Sequence, residues 1–329
     1  MKTILITGGA GFVGHHIVEH YLKNTDWNII IFDKLSYASN GFDRVRDIDA
    51  YDDKRVIIFT CDLTKPIPTG IRNECLDVNY IIHLAAESHV DKSISFPVQF
   101  VESNIMGTVY FLEFVKSLNN LENFFYFSTD EVFGPAPIGI NYKENDIYNC
   151  TNPYSASKAS AEQFCVAYNN CYHIPITVTR SMNIFGERQH PEKFIPLCIN
   201  KILNNETIII HSSPDGKISG SRYYIHARNV ASAIDFLVKK PVRVNIEFYN
   251  IVGEKEISNL TLAKTIGDIM GKEAKTKMVD FHSARPGHDL RYALDGSKLN
   301  EYGWKIPMKL ENSLERTVKW FIDKKDKWL

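Results

Sequence analysis

Short continuous apolar runs, each ending on small or polar residues, set the rhythm of this chain. They fall at Lys2 to Thr7, Asn28 to Phe32, Arg55 to Thr60, Asn79 to Leu84, Phe124 to Phe127 and Ile174 to Arg180. Runs this short and this rich in Ile, Val and Phe read as strands covered on both faces. Between them the apolar positions change to helical spacing. Ile17, Val18, Tyr21 and Leu22 share one face, and Val101, Ile105, Leu112 and Val115 share another in a long helix opened by Pro97. Strands alternating with such helices predict an α/β chain with a Rossmann-type, doubly wound parallel sheet, its ligands at the carboxyl ends of the strands. After Arg180 the alternation breaks down. A polar loop from Gly186 leads through Lys193 into a helix, and Asp215-Gly216-Lys217 marks a turn. Asn229 to Val238 then reads as a helix and Glu247 to Ile251 as a strand. The expected division is a cofactor-binding domain, 1–182 with 229–251 returning to it, and a smaller C-terminal substrate-binding domain, 183–228 with 252–329.

The first strand passes straight into Gly8-Gly9-Ala10-Gly11-Phe12-Val13-Gly14. Glycines at 8, 11 and 14 between a strand and a helix let the backbone approach a pyrophosphate, whose charge sits on the helix N-terminus. Asp33 closes the second strand, close to the ~20-residue spacing at which a carboxylate binds a ribose 2′-hydroxyl. That acid repels a 2′-phosphate, so the expected cofactor is NAD rather than NADP. Further candidates for cofactor contact are Phe12, Val13 and Lys34, then Asp62 and Leu63, where the acid reaches an adenine amino group. Leu84, Ala85 and Ala86 follow the fourth strand, and the two alanines are small enough for ribose and phosphates to pass.

The candidate chemistry lies between Ser128 and Lys158. A buried strand stops on Thr129, Asp130 and Glu131, and a helix then begins with Asn152 as N-cap and Pro153 in its first turn. Tyr154 and Lys158 are one turn apart and share a face. An ammonium beside a phenol favours the phenolate, so Tyr154 is expected to act as a base near neutral pH, both residues also facing the cofactor. Two adjacent acids in different protonation states supply a proton donor and a proton acceptor. Arg222, Arg285 and Arg291 are candidates for a diphosphate clamp, because guanidinium meets phosphate oxygens in a bidentate fork.

Composition narrows the partners. A length of 329 residues suits one large or two ordinary domains, and a net charge of −1 with both signs mixed leaves no footprint for nucleic acid or an anionic membrane. No signal peptide is recognisable and no apolar run approaches a membrane span, so a cytoplasmic location is expected. The six cysteines show no C-x-x-C spacing, so neither a metal site nor a disulfide framework is expected.

Together these motifs resemble the extended short-chain dehydrogenase/reductases that act on nucleotide sugars, and among them the NDP-glucose 4,6-dehydratases, most of all the bacterial dTDP-glucose enzymes. The resemblance runs from Thr7-Gly8-Gly9-Ala10-Gly11-Phe12 to Arg285-Pro286-Gly287-His288-Asp289. Between these lie Asp33-Lys34-Leu35-Ser36-Tyr37-Ala38, Ala85-Ala86-Glu87-Ser88-His89-Val90-Asp91, Ser128-Thr129-Asp130-Glu131-Val132, Tyr154-Ser155-Ala156-Ser157-Lys158 and Pro191-Glu192-Lys193-Phe194-Ile195-Pro196. The glycines and the Tyr/Lys pair mark the superfamily; Asp130-Glu131 marks the dehydratase.

The resemblance implies that Tyr154 is the base for the sugar 4-hydroxyl, with Lys158 its activator and Thr129 its hydrogen-bonding partner. Glu131 would remove the C5 proton and Asp130 would protonate the departing 6-hydroxyl, giving a 4-keto-6-deoxy sugar of the kind used for deoxysugars such as rhamnose. Ser88, His89, Asn104, Asn183, Glu192, Lys193, Arg222, Arg285 and His288 would hold the nucleotide-diphosphate sugar. A homodimer is implied through the helix after Pro97 and the Tyr154 helix. The chain departs from the pattern at Met182, Glu187, Phe133 and His226-Ala227-Arg228-Asn229, changes expected to cluster around nucleotide and sugar recognition. UDP-glucose or UDP-N-acetylglucosamine as substrate stays open, as do a 4-epimerase, which needs no paired acids, and a non-catalytic NAD-binding sensor.

Overall fold

The computed structural model describes residues 1–36, 39–241, 244–280 and 290–329; Arg285 and His288 therefore lie outside the described residues. Among the described residues, seven parallel strands form one sheet. Its order is Glu247–Ile251, β6 (Ile176–Ser181), β5 (Asn123–Thr129), β4 (Tyr80–His83), β1 (Thr3–Thr7), β2 (Asn28–Asp33), β3 (Val56–Thr60). The chain winds outward from β1 through β2 and β3, then returns to the other side of β1 for β4, β5 and β6. This reversal opens a crevice between the carboxyl ends of β1 and β4.

The apolar runs are continuous because both faces of the sheet are covered. Ile4, Ile6, Ile29, Ile31, Ile82 and Phe125 pack on one face with Ile17 and Val18 of α1 (Phe12–Asn24) and with Val230 and Ile234. Their sequence neighbours Leu5, Ile30, Phe32, Ile81 and Phe124 pack on the other with Phe111, Leu112, Ala161 and Cys165. A third cluster joins the helices Phe194–Leu203, Asn259–Met270 and Leu310–Asp323 to the paired strands Ile208–Ser212 and Thr276–Asp280. No helix among the described residues is long and apolar enough to cross a membrane.

Two helices set the site. Pro153–Tyr172 begins with a full capping box: the Asn152 side chain accepts from the Ser155 N–H, and the Asn152 N–H reaches the Ser155 hydroxyl. The helix opened by Pro97 is not uniform. Pro97–Phe100 and Gly107–Val115 are α-helical, but Val101–Met106 between them is a wider π turn. An extra residue in that turn shifts the faces on either side of it, which a reading of helical period does not detect.

Candidate active site

The crevice holds a cavity of about 730 Å³, inside the ~300–1,000 Å³ range of small-molecule sites. One end of it is the glycine turn. Gly8 sits at φ +69°, and a Cβ on Gly14 would stand 2.1 Å from the Gly8 carbonyl oxygen, so the turn closes only without that side chain. No side chain caps α1, whose first N–H groups are left for an anion. Phe12, Val13, Asp33, Lys34, Asp62, Leu63, Leu84, Ala85 and Ala86 all line this end.

Asp33 is buried and accepts from the Leu35 N–H at 2.8 Å and the Ala10 N–H at 3.1 Å. Burial nevertheless lifts its pKa above the ordinary value, against those bonds and the nearby Arg44 and Lys34 charges. Lys34 is paired with Glu87 at 2.7 Å, and Asp62 caps its own turn by accepting from the Thr64 N–H. Arg44 also lines the cavity, almost wholly buried, and no sequence signal marked it. Glycines that admit close backbone approach, a carboxylate held by backbone N–H groups and an uncapped helix start fit a dinucleotide that carries a free ribose 2′-hydroxyl.

At the other end β5 delivers Thr129, and a single 3-10 turn, Asp130–Phe133, carries both acids. The Thr129 hydroxyl donates to Asp130 Oδ1 at 3.0 Å and accepts from the Glu131 N–H at 3.3 Å, with the Tyr154 phenol close by. Asn152 Nδ2 donates to Glu131 Oε2 at 3.0 Å. Burial lifts Asp130 to about 6, with the Arg222 charge and Thr129 opposing. Burial also lifts Glu131 to about 7; the Asp130 charge adds to this, while Asn152, Arg222 and Lys193 oppose it. The two are coupled, so protonating Asp130 removes a repulsion that holds Glu131 up. A pair in this state retains a proton near neutral pH and can donate at one oxygen while accepting at another.

The tyrosine and lysine are brought together differently from the expected arrangement. Lys158 Nζ donates to the Phe127 carbonyl at 2.7 Å and lies over the Tyr126 ring, and burial lowers its pKa to about 8. The Tyr154 phenol is pushed well above its ordinary value by burial and by the Glu131 and Asp130 charges; only Thr129 pulls it down. In this structure Lys158 hydrogen-bonds the Phe127 carbonyl and not the Tyr154 phenol.

Ser88, His89, Asn183, Glu192, Lys193 and Arg222 line the cavity as expected. Asn104 does not. It is buried in the π turn, accepting from the Glu87 N–H and donating to the Glu87 carbonyl and the Ser157 hydroxyl, so it ties the loop after β4 to the Tyr154 helix. Arg291 is also turned elsewhere, pairing with Glu256 at 2.8 Å and donating to the Pro137 and Ile140 carbonyls. Of the departures from the family pattern, Met182 lines the cavity, whereas Phe133, Glu187, His226 and Arg228 do not. The last three meet one another away from it: the buried Glu187 contacts Arg228 at 2.6 Å, His226 at 3.0 Å and Arg316 at 3.3 Å. The unusual acid and the unusual base form one structure.

Known proteins resemble this chain over nearly its whole length. Residues 5–317 match the family model described as GDP-mannose 4,6 dehydratase. The chain is 35% identical to a dTDP-D-glucose 4,6-dehydratase of Dictyostelium discoideum, covering 100% of this chain and 83% of that one. It is 33% identical to dTDP-glucose 4,6-dehydratase 1 of Escherichia coli K12, covering 99% and 94%. The dTDP-glucose 4,6-dehydratase of Streptomyces venezuelae, solved with NAD bound, superimposes with a TM-score of 0.86 at 31% identity, covering 99% of this chain and 98% of that one. The chain belongs to the nucleotide-sugar 4,6-dehydratase family of extended short-chain dehydrogenase/reductases.

Proposed function

We propose that the protein is an NAD-dependent dTDP-glucose 4,6-dehydratase, a hydro-lyase that forms the 4-keto-6-deoxy sugar nucleotide. The observation that carries this reading is the Asp130–Glu131 pair, Asp130 buried and Glu131 half-buried, both raised into the neutral range and standing beside Thr129 and Tyr154. Oxidation at C4 alone, as in an epimerase, gives the two carboxyls nothing to do. Gly8, Gly11, Gly14 and Asp33, with Lys34, Asp62, Ala85 and Ala86, would hold the NAD. When bound, NAD supplies the hydride acceptor for C4, the hydride donor for C6 and a positive charge that opposes the carboxylates around Tyr154.

Tyr154 takes the proton of the 4-hydroxyl as C4 becomes a ketone. The ketone acidifies the C5 proton, which Glu131 removes, and Asp130 protonates the 6-hydroxyl so that it leaves as water. Glu131, having exchanged that proton with solvent, protonates C5 as C6 is reduced. After this sequence Tyr154 holds one proton too many and Asp130 one too few. Thr129, hydrogen-bonded to Asp130 and close to Tyr154, is the side chain to which we assign the resetting of that imbalance. Lys193 and Arg222 supply positive charge for the diphosphate.

The division of labour we propose gives residues 1–182 and 229–251 to the cofactor and 183–228 with 252–329 to the nucleotide sugar. The pairing of Glu247–Ile251 with β6 and the separate third apolar cluster support it. A cytoplasmic homodimer completes the proposal. Phe96 and Val98 are 62% and 67% exposed, and Val101, Met106 and Phe164 extend that apolar surface along adjacent helices. Incubation with NAD and either dTDP-glucose or UDP-glucose, followed by mass analysis, tests the function. The expected product has lost one water, with dTDP-glucose the better substrate. A product of unchanged mass inverted at C4 would make the protein an epimerase.

A further inference from the structure

We propose that Asn152 is a positioning residue for Glu131, so that the residue capping the Tyr154 helix also fixes the carboxylate that removes the C5 proton. The inference rests on the dehydratase reading given above. The cap holds the Asn152 side-chain oxygen on the Ser155 N–H at 2.8 Å, and this decides which end of the amide points where. The nitrogen end is left facing the acidic turn, where it donates to Glu131 Oε2 at 3.0 Å. Asn152 is buried, so water does not compete freely for this bond.

Two elements are thereby locked to each other. Asn152 begins the helix that carries Tyr154 and Lys158, whereas Glu131 stands on the turn after β5. A donor aimed at a carboxylate also favours its ionised form, against the burial and the Asp130 charge that oppose it. Asp130 is treated differently. Its Oδ1 accepts from Thr129, and its Oδ2 is buried with no hydrogen-bond partner among the described residues. In the protein alone Glu131 still sits the higher of the two, at about 7 against about 6, so the Asn152 donor works against that order, holding Glu131 toward the ionised form a base needs.

Ser and Asp cap helices about as well as Asn, so the two roles of Asn152 can be separated. In Asn152→Ser the cap survives and the donor to Glu131 is lost. Thermal stability and KM should stay as in the wild type, kcat should fall about tenfold, and the acid limb of the pH profile for solvent deuterium entering C5 should move up by about one pH unit. In Asn152→Asp a third carboxylate faces Glu131, and the upward shift should be larger. A wild-type pH profile and kcat in Asn152→Ser would reduce Asn152 to a helix cap and overturn the proposal. The Glu131→Gln variant keeps the two claims apart: if it still exchanges deuterium at C5, the dehydratase reading has failed, and if it does not, a null result with Asn152→Ser counts against Asn152 alone.

Discussion

Glu131 is placed where its own charge is disfavoured, since burial and the neighbouring Asp130 raise it from 4.5 to about 7. An acid that holds its proton more tightly in the folded than in the unfolded state stabilises the fold at low pH. That contribution is lost as the pH rises through the folded value, here between about pH 4.5 and 7. Glu131→Gln removes the penalty, so the variant without cofactor should match the wild type at pH 4 and exceed it by about 1–3 kcal/mol at pH 8. Denaturant unfolding at the two pH values would check this, and an equal or lower stability at pH 8 would deny the strain. That these candidate residues meet in one cavity was legible because their signals are local: two adjacent acids after a strand, and a Tyr and Lys one turn apart. The partner of Lys158 was not. Whether an ammonium meets a phenol or a backbone carbonyl depends on where β5 passes beneath the helix, and the Phe127 carbonyl is what it meets.

At the scale of elements, the β1–α1 turn depends on the missing side chain at Gly14. A Cβ there would lie 2.1 Å from the Gly8 carbonyl oxygen and 2.7 Å from the Gly9 Cα, so backbone has to move. Gly14→Ala should weaken NAD binding at least about tenfold by titration calorimetry, with substrate binding much less affected. Equal NAD affinity in the folded variant would separate this turn from the cofactor. The strands, their alternation with helices and the capped start at Asn152 were all readable, because period and turn chemistry are local properties. Asn104 shows where such reading stops. A polar residue on a helix near the site looks like a ligand contact, yet its partners are the backbone of Glu87, 17 positions earlier, and the Ser157 hydroxyl. Only tertiary packing brings those together.

For the whole molecule, the exposed apolar face of the Pro97 and Tyr154 helices is the surface on which the proposed dimer stands. Val98→Asp should give a monomer by sedimentation at micromolar concentration; a wild-type protein already monomeric there would remove the dimer. Glu187, held far below the usual carboxylate range by His226, Arg228 and His16, works in the opposite sense to Glu131. Its contribution is present above the ordinary Glu value and is lost as the pH falls, so acid weakens the Glu187 contacts while it relieves the catalytic pair. That pairing was invisible in the sequence, where Glu187 and Arg228 lie 41 positions apart. The proposed reaction turns on elimination across C5 and C6, with Glu131 as the proposed base. The most direct measurement of that claim follows Glu131→Gln with NAD and dTDP-glucose in deuterium oxide, reading C5 by NMR and the product by mass. The account predicts no deuterium at C5 and almost no dehydrated sugar. Wild-type exchange at C5, or normal loss of water, would contradict it.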